Sequence, residues 1–174
     1  MFITLNKGNQ MIILGIDPGY AIVGFGVIEK LGHNIKVLDY GVITTPKEHT
    51  MPVRLKTIYD SLCVLIDKYK PDCMAIEELF FQNNQKTAIN VAEARGVTVL
   101  AGMEKIGKLY EYTPLQIKQA LTGQGRAEKQ QVQYMVKAIL GLSAVPKPDD
   151  AADALAAALT HAQTNQILGN NDIK

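Results

Sequence analysis

Apolar residues along this chain follow two rhythms, and the switches between them mark out its elements. Residues 11–17 (MIILGID) are a short apolar run stopped by Pro18 and Gly19, which predicts a buried strand. Residues 21–30 (AIVGFGVIEK) are β-branched and interrupted by glycine, LGHN supplies a turn, and 35–45 (IKVLDYGVITT) alternate apolar with polar positions. Three strands joined by short turns predict an antiparallel meander. After Pro52 the period changes. Leu55, Ile58, Tyr59, Leu62, Leu65, Ile66 and Tyr69 recur at three- and four-residue spacing until Pro71, the stripe of an amphipathic helix.

From there strand and helix alternate. CMAIEE at 73–78 predicts a fourth strand, residues 84–106 a long helix and KLYEY at 108–112 a fifth strand. Gly96 and Gly102 either weaken the long helix or admit close packing. Thr113 before Pro114 reads as an N-cap with proline at the first helical position, and that helix stops at Gly123. After the loop TGQGR, residues 127–140 predict a helix capped by Gly141, and a last helix runs from about Asp150 to Gln163. The order β-β-β-α-β-α-β-α-α-α is that of an α/β fold, a five-stranded mixed sheet flanked by helices. Residues 1–10 are expected to form a flexible extension, 11–163 one domain and 164–174 a flexible tail.

With 174 residues, 47% apolar and 20% charged, the chain suits one globular domain with a sizeable core. Its longest apolar run, Ala21 to Ile28, is eight residues, against the roughly twenty of a membrane-spanning helix. Residues 1–10 lack the ordered regions of a signal peptide, so a cytoplasmic protein without a membrane partner is expected. Cys63 and Cys73 stand in apolar surroundings without C-x-x-C spacing and read as small hydrophobes. The net charge of +1 says little about partners. Its distribution says more: residues 105–147 carry seven basic side chains, among them Lys118, Arg126 and Lys129, against two acidic ones, leaving the rest of the chain at −4. Such a split suits a site that takes a polyanion and cations, and equally a set of solvated helix faces.

The candidate chemistry is acidic. Asp17 ends the first strand in GIDPG, where Gly15 and Gly19 leave backbone room for a ligand; alone it also reads as a turn-forming Asp. Glu77 ends the apolar strand CMAIE and must reach solvent, a cation or a partner, while Glu78 faces the other way. Asp150 and Asp153 lie one helical turn apart at the start of the last helix, where capping is the plain alternative. The alanines around them allow that helix to pack close to the sheet. Clustered carboxylates repel unless a hard cation such as Mg²⁺ relieves them, and two such ions about 4 Å apart serve phosphodiester hydrolysis. His33, His49 and His161 have no Ser or Cys beside them to suggest a nucleophile system.

These residues carry a resemblance. ILGIDPG at 13–19, GFGVI at 24–28, RLKTIY at 54–59, MAIEELFF at 74–81, EARGV at 93–97 and DAADALAAALTHA at 150–162 are similar to the RuvC family of bacterial Holliday junction resolvases, across roughly residues 11–163. The resemblance implies a ribonuclease-H-like fold. It also implies a homodimer that binds four-way junction DNA and nicks two opposing strands symmetrically, serving recombination and repair. Two Mg²⁺ per active site are implied, with Mn²⁺ as a substitute, and a branch-migration complex as partner. Asp17, Glu77, Asp150 and Asp153 match the family's four acidic catalytic and metal-binding positions, the third of which is His in some members. Lys118 and Lys129 match basic positions at the scissile DNA, and Phe80 an aromatic that stacks on bases; Arg126 joins them as a candidate DNA contact. Asp149 has no counterpart and reads as a helix cap. Gly123 and Gly125 offer a weaker phosphate-binding signal through their N–H groups. Tyr20, Ala21 and Ile22 depart from the family, which has a basic or polar residue there.

Two other classes share parts of this pattern. An ATP-binding domain of the actin and sugar-kinase type opens with a similar strand, Asp and glycine turn, but needs two lobes. A junction-binding module without catalysis needs only shape and phosphate contacts, and the complete carboxylate set argues against it.

Overall fold

A computed structural model describes residues 10–79, 85–164 and 173. Its strands are β1 (Gln10–Asp17), β2 (Ile22–Leu31), β3 (Asn34–Thr44), β4 (Cys73–Glu77) and β5 (Leu109–Tyr112). Its helices are α1 (Met51–Tyr69), α2 (Gln85–Lys105), α3 (Pro114–Thr122), α4 (Lys129–Ile139) and α5 (Asp149–Gln163). The order matches the expected one, and every boundary falls within two residues of it. β1 starts at Gln10, inside the expected extension.

The five strands form one sheet in the order β3-β2-β1-β4-β5. β1, β2 and β3 pair antiparallel, with a bulge between Val27 and Ile28, and β4 pairs parallel with both β1 and β5. α1 and α2 cover one face around Leu14, Ile16, Met74 and Ile76; α3, α4 and α5 cover the other around Ile13, Cys73, Ala75 and Leu155. Alternation along the strands follows from the pleat and decides what comes next. Ile13 and Gly15 face α5, and so does Asp17; Cys73 and Ala75 face α5, and so does Glu77.

The largely buried helix α5 lies against β1 and β2 at backbone distance. A Cβ on Gly15 would sit 2.0 Å from the Ala154 carbonyl oxygen, and one on Gly24 2.0 Å from that of Asp150. The alanine-rich helix and the strand glycines are two halves of one packing solution. The room expected for a ligand beside Gly15 is therefore filled by α5. That at Gly19 is filled by the Ile22 carbonyl, 2.1 Å from where a Cβ would lie. Gly102 also serves close packing, against the Met74 side chain, whereas Gly96 faces open space.

α3 starts as the sequence predicts: Thr113 and Gln116 form a reciprocal capping box and Pro114 takes the first turn. Gly123, at φ 73°, ends it and donates its N–H to the Gln119 carbonyl. That N–H is spent on the helix end, so the weak phosphate signal at Gly123 fails. The last helix begins with Pro148 as N-cap and no side-chain cap bond, so neither Asp149 nor Asp150 caps it. Cys73 is buried and its thiol is pushed up to about 12 by burial, as a small hydrophobe should be; Cys63 is half-buried.

Candidate active site

Three elements deliver four carboxylates to one end of the sheet. β1 and β4 run side by side in register from Ile13 with Cys73 to Ile16 with Ile76. The next residues, Asp17 and Glu77, therefore leave neighbouring strands together and on the α5 face. Gly24 lies opposite Asp17 across β1 and β2, and its missing Cβ admits the backbone of Asp150 at the start of α5. Asp153 follows one turn later.

Electrostatics reports how close they are. Burial and the charges of Glu77, Asp153 and Asp150 push the Asp17 carboxyl up to about 8. Burial and Asp153 push Glu77 up to about 7, and burial raises Asp153 as well. Buried like charges favour the protonated forms unless countercharge arrives. Lys129 supplies some: its ammonium donates to Asp153 at 2.8 Å and lies 3.7 Å from Asp149. Burial works against that ammonium's charge, but the Asp153 bond and the surrounding carboxylates outweigh it and lift its pKa.

A cavity of about 260 Å³ opens here, lined by Glu77, Ile117, Lys118, Lys129, Val132 and Asp153 among others. Carboxylates and two lysines thus share one concave site. Arg126 is exposed and not among the residues that line it. Phe80 lies outside the described residues. Lys147 stays beside the site through Asp149 at 2.7 Å, but others of the basic stretch go elsewhere: Lys105 pairs with Asp67 at 3.1 Å and Lys108 sits by α2. The stretch is therefore not one patch.

With Asp153 turned to Lys129, no group of three or more His, Cys, Asp or Glu side chains among the described residues stands as a ready metal cage. The donor set is nevertheless all oxygen, crowded, partly buried and short of positive charge. That is the chemistry a hard divalent cation fits, and Lys129 is the side chain that would have to yield.

Three supporting features escaped the sequence reading. Asp149, taken as a cap, instead bridges Lys147 and Lys129. The Tyr112 hydroxyl meets His161 Nδ1 at 2.7 Å, and the His161 ring stacks on Tyr110 at 4.2 Å; Tyr112 is in register with Glu77, so α5 and the strand carrying that carboxylate are tied together. Arg54 donates to the Thr45 hydroxyl at 2.8 Å and lies over the Tyr20 ring at 4.8 Å, while Thr45 donates to the Tyr20 carbonyl at 2.6 Å. These contacts brace the turn that follows Asp17. The departure at Tyr20 is thus part of a structural clamp.

Comparison with known proteins gives a consistent result. The family model described as crossover junction endodeoxyribonuclease RuvC matches residues 13–161. A crossover junction endodeoxyribonuclease RuvC from Alkaliphilus oremlandii is 58% identical over 164 residues, covering 94% of this chain and 100% of that protein. Its counterpart from Desulforamulus reducens is 54% identical over 159 residues, covering 91% and 98%. Among solved structures, Thermus thermophilus RuvC in complex with Holliday junction substrate superposes with a TM-score of 0.83 at 38% identity, over 88% of this chain and 93% of that one. A yeast mitochondrial Holliday junction resolvase shares the fold, with a TM-score of 0.64 at 14% identity over 87% and 78%.

Proposed function

This chain belongs to the RuvC family of crossover junction endodeoxyribonucleases, and on that footing we propose how its residues cut DNA. The substrate is a four-way Holliday junction, nicked on opposing strands during recombination and repair. The observation that carries the assignment of residues is the convergence of Asp17, Glu77, Asp150 and Asp153 at one end of the sheet, where the charges of the other three all raise the proton affinity of Asp17.

Those four carboxylates are the catalytic and metal-binding set, and they would hold two Mg²⁺, or Mn²⁺ in its place. When bound, such ions lower the pKa of the attacking water and stabilise the leaving oxygen. The protein's own residues do the rest. Burial and close α5 packing hold the carboxylates in fixed positions, so little reorganisation is needed at reaction. Lys129 leaves Asp153 for the scissile phosphate and, with Lys118 across the cavity, offsets charge gathering on the phosphoryl oxygens. Arg126 contacts the backbone further from the cut, and Phe80 stacks on bases at the crossover.

Two symmetric nicks need two sites related by a two-fold axis, and one chain supplies one. The homodimer surface is the outer stripe of α2, where Ile89 and Leu100 are 63% and 59% exposed. Gly96 between them faces open space, leaving room for a second helix. A branch-migration motor is the further partner and the cytoplasm the compartment, both by family likeness.

The test is incubation with a four-way junction having a mobile core, beside a duplex control, with Mg²⁺ or EDTA, for wild type and Asp17→Asn. Paired nicks that need metal and vanish in the variant are expected. Junction binding without nicks at any Mg²⁺ or Mn²⁺ concentration would overturn the catalytic assignment.

A further inference from the structure

The start of α5 carries a carboxylate that the catalytic set does not use. Asp149 and Asp153 stand four residues apart on α5, and Lys129 and Gln133 four apart on α4, so each pair shares one helix face. The two faces meet. Lys129 donates to Asp153 at 2.8 Å, and Gln133 faces Asp149. The Lys129 ammonium also lies 3.7 Å from Oδ2 of Asp149, while Lys147 holds Oδ1 of the same carboxylate at 2.7 Å. Gln133 is only 7% exposed, and its Nε2 has no hydrogen-bond partner among the described residues.

Lys129 thus sits between two carboxylates of different depth. The Asp153 side chain is 21% exposed and lines the cavity; that of Asp149 is 46% exposed and is not among the residues lining it. A cation at Asp153 competes with the ammonium for that carboxylate. A lysine head released there would be free to go to water, losing its rotameric order and its place beside the phosphate. Asp149 offers a second partner close by: closing 3.7 Å to a charge-assisted hydrogen bond takes a shift of about 1 Å. An ammonium has several donors, so one bond to Asp149 leaves others for phosphoryl oxygens.

We propose that Asp149 is a positioning residue for Lys129, the carboxylate that receives the ammonium when Asp153 turns to a divalent cation and that keeps it at the cavity mouth. This role rests on the metal-binding reading of the four carboxylates. A rotation of Asp149 toward α4 brings it to Lys129 and to the unpaired Gln133 amide together, and a buried donor gains most from such a partner.

The test is calorimetric titration of Mn²⁺, without DNA, into wild type, Asp149→Asn, Lys129→Gln and the variant carrying both. Asp149→Asn should bind Mn²⁺ about three- to tenfold more weakly, because the ammonium is then left with Asp153 alone. In the Lys129→Gln background the same substitution should alter the affinity by less than about twofold. At saturating Mn²⁺, Asp149→Asn should cut junctions about tenfold more slowly in single turnover, with junction affinity in EDTA no weaker, and Asp149→Glu should keep most of the rate. Equal weakening of Mn²⁺ binding in both backgrounds would be a plain loss of negative charge and would overturn the role of Asp149 alone, as would unweakened binding in Asp149→Asn. Wild type that takes up no Mn²⁺ at millimolar concentration would bring down the metal-binding reading and this role with it.

Discussion

Gly24 lies beneath the first turn of α5, where a Cβ would come to 2.0 Å from the Asp150 carbonyl oxygen. The obstacle is helix backbone, which cannot swing aside as a flexible side chain can. Gly24→Ala should therefore lift the start of α5 away from β2 and carry Asp150 and Asp153 with it. A stability loss of about 1–3 kcal/mol is expected from the overpacking. A displacement near 1 Å at the carboxylates should lower single-turnover cleavage by about 100-fold, with junction binding retained. Thermal melting and junction cleavage, read side by side, check both halves.

Asp17 costs the fold stability in the absence of metal. Its carboxyl is raised from 3.8 to about 8 by burial and by Glu77, Asp153 and Asp150. Between those values the folded state binds more protons than the unfolded state, so stability falls as pH rises through the window. Metal-free protein should thus melt lower near pH 8 than near pH 5, and added Mg²⁺ should restore it most at the higher pH. Asp17→Asn should flatten the slope and raise the melting temperature at pH 8 by roughly 2–8 °C, the equivalent of about 1–2 kcal/mol, while abolishing cleavage. A variant that melts lower than wild type at pH 8 would contradict this account.

Much of this arrangement was legible in the chain, for identifiable reasons. Strand parity is a local property, so MIILGID and CMAIE disclose that Asp17 and Glu77 end buried strands. Proline, glycine and the helical stripe fix the element order. Packing partners are not local. Nothing near Gly24 says that Asp150 will press on it, and a D-x-x-D at a helix start reads as capping until Pro148 is seen in the N-cap position. Charge counted along the chain misled for the same reason: Lys105 and Lys118 are close in sequence but reach opposite faces of the sheet. The Tyr112 and His161 pair joins residues 49 apart, so no motif could announce it.

Lys129 shares Asp153 with the cation that site is suited to hold. Removing the ammonium should leave metal binding intact or tighter, because a competitor for the carboxylate is gone. Catalysis should suffer, since the same ammonium is the one proposed above to offset charge on the phosphoryl oxygens. Lys129→Gln is expected to bind Mn²⁺ at least as well as wild type by calorimetry and to cleave junctions about 100- to 1,000-fold more slowly. Loss of metal binding together with cleavage would instead make Lys129 a support for the carboxylates.

On α2, Leu100 tests the dimer. A charge there would be solvated in a monomer and buried in a pair of packed helices. Leu100→Asp should shift the sedimenting species from dimer to monomer with little change in the melting of the domain. Paired cleavage of the junction should drop by at least about tenfold, leaving single nicks. Wild-type sedimentation as a monomer at micromolar concentration would remove the α2 surface from consideration.

His161 gives the fold an acid-sensitive joint of opposite sign to Asp17. Burial, helped by the nearby Lys30 charge, lowers its imidazole from 6.5 to about 4, so it stays neutral where an unfolded chain would take a proton. Stability from this group is complete above about pH 6.5 and is lost as pH falls toward 4. The Tyr112 hydroxyl at 2.7 Å and the Tyr110 ring stacked on the imidazole set the environment that a charged ring would disturb. In wild type the slopes of Asp17 and Glu77 oppose that of His161 between pH 4 and 6.5, so they must be measured apart. In Asp17→Asn/Glu77→Gln, melting temperature should fall as pH drops from 6.5 to 4. Adding His161→Leu should remove that fall, and Tyr112→Phe alone should cost about 1 kcal/mol at pH 7. Persistence of the acid slope in the triple variant would place its origin in some group other than His161.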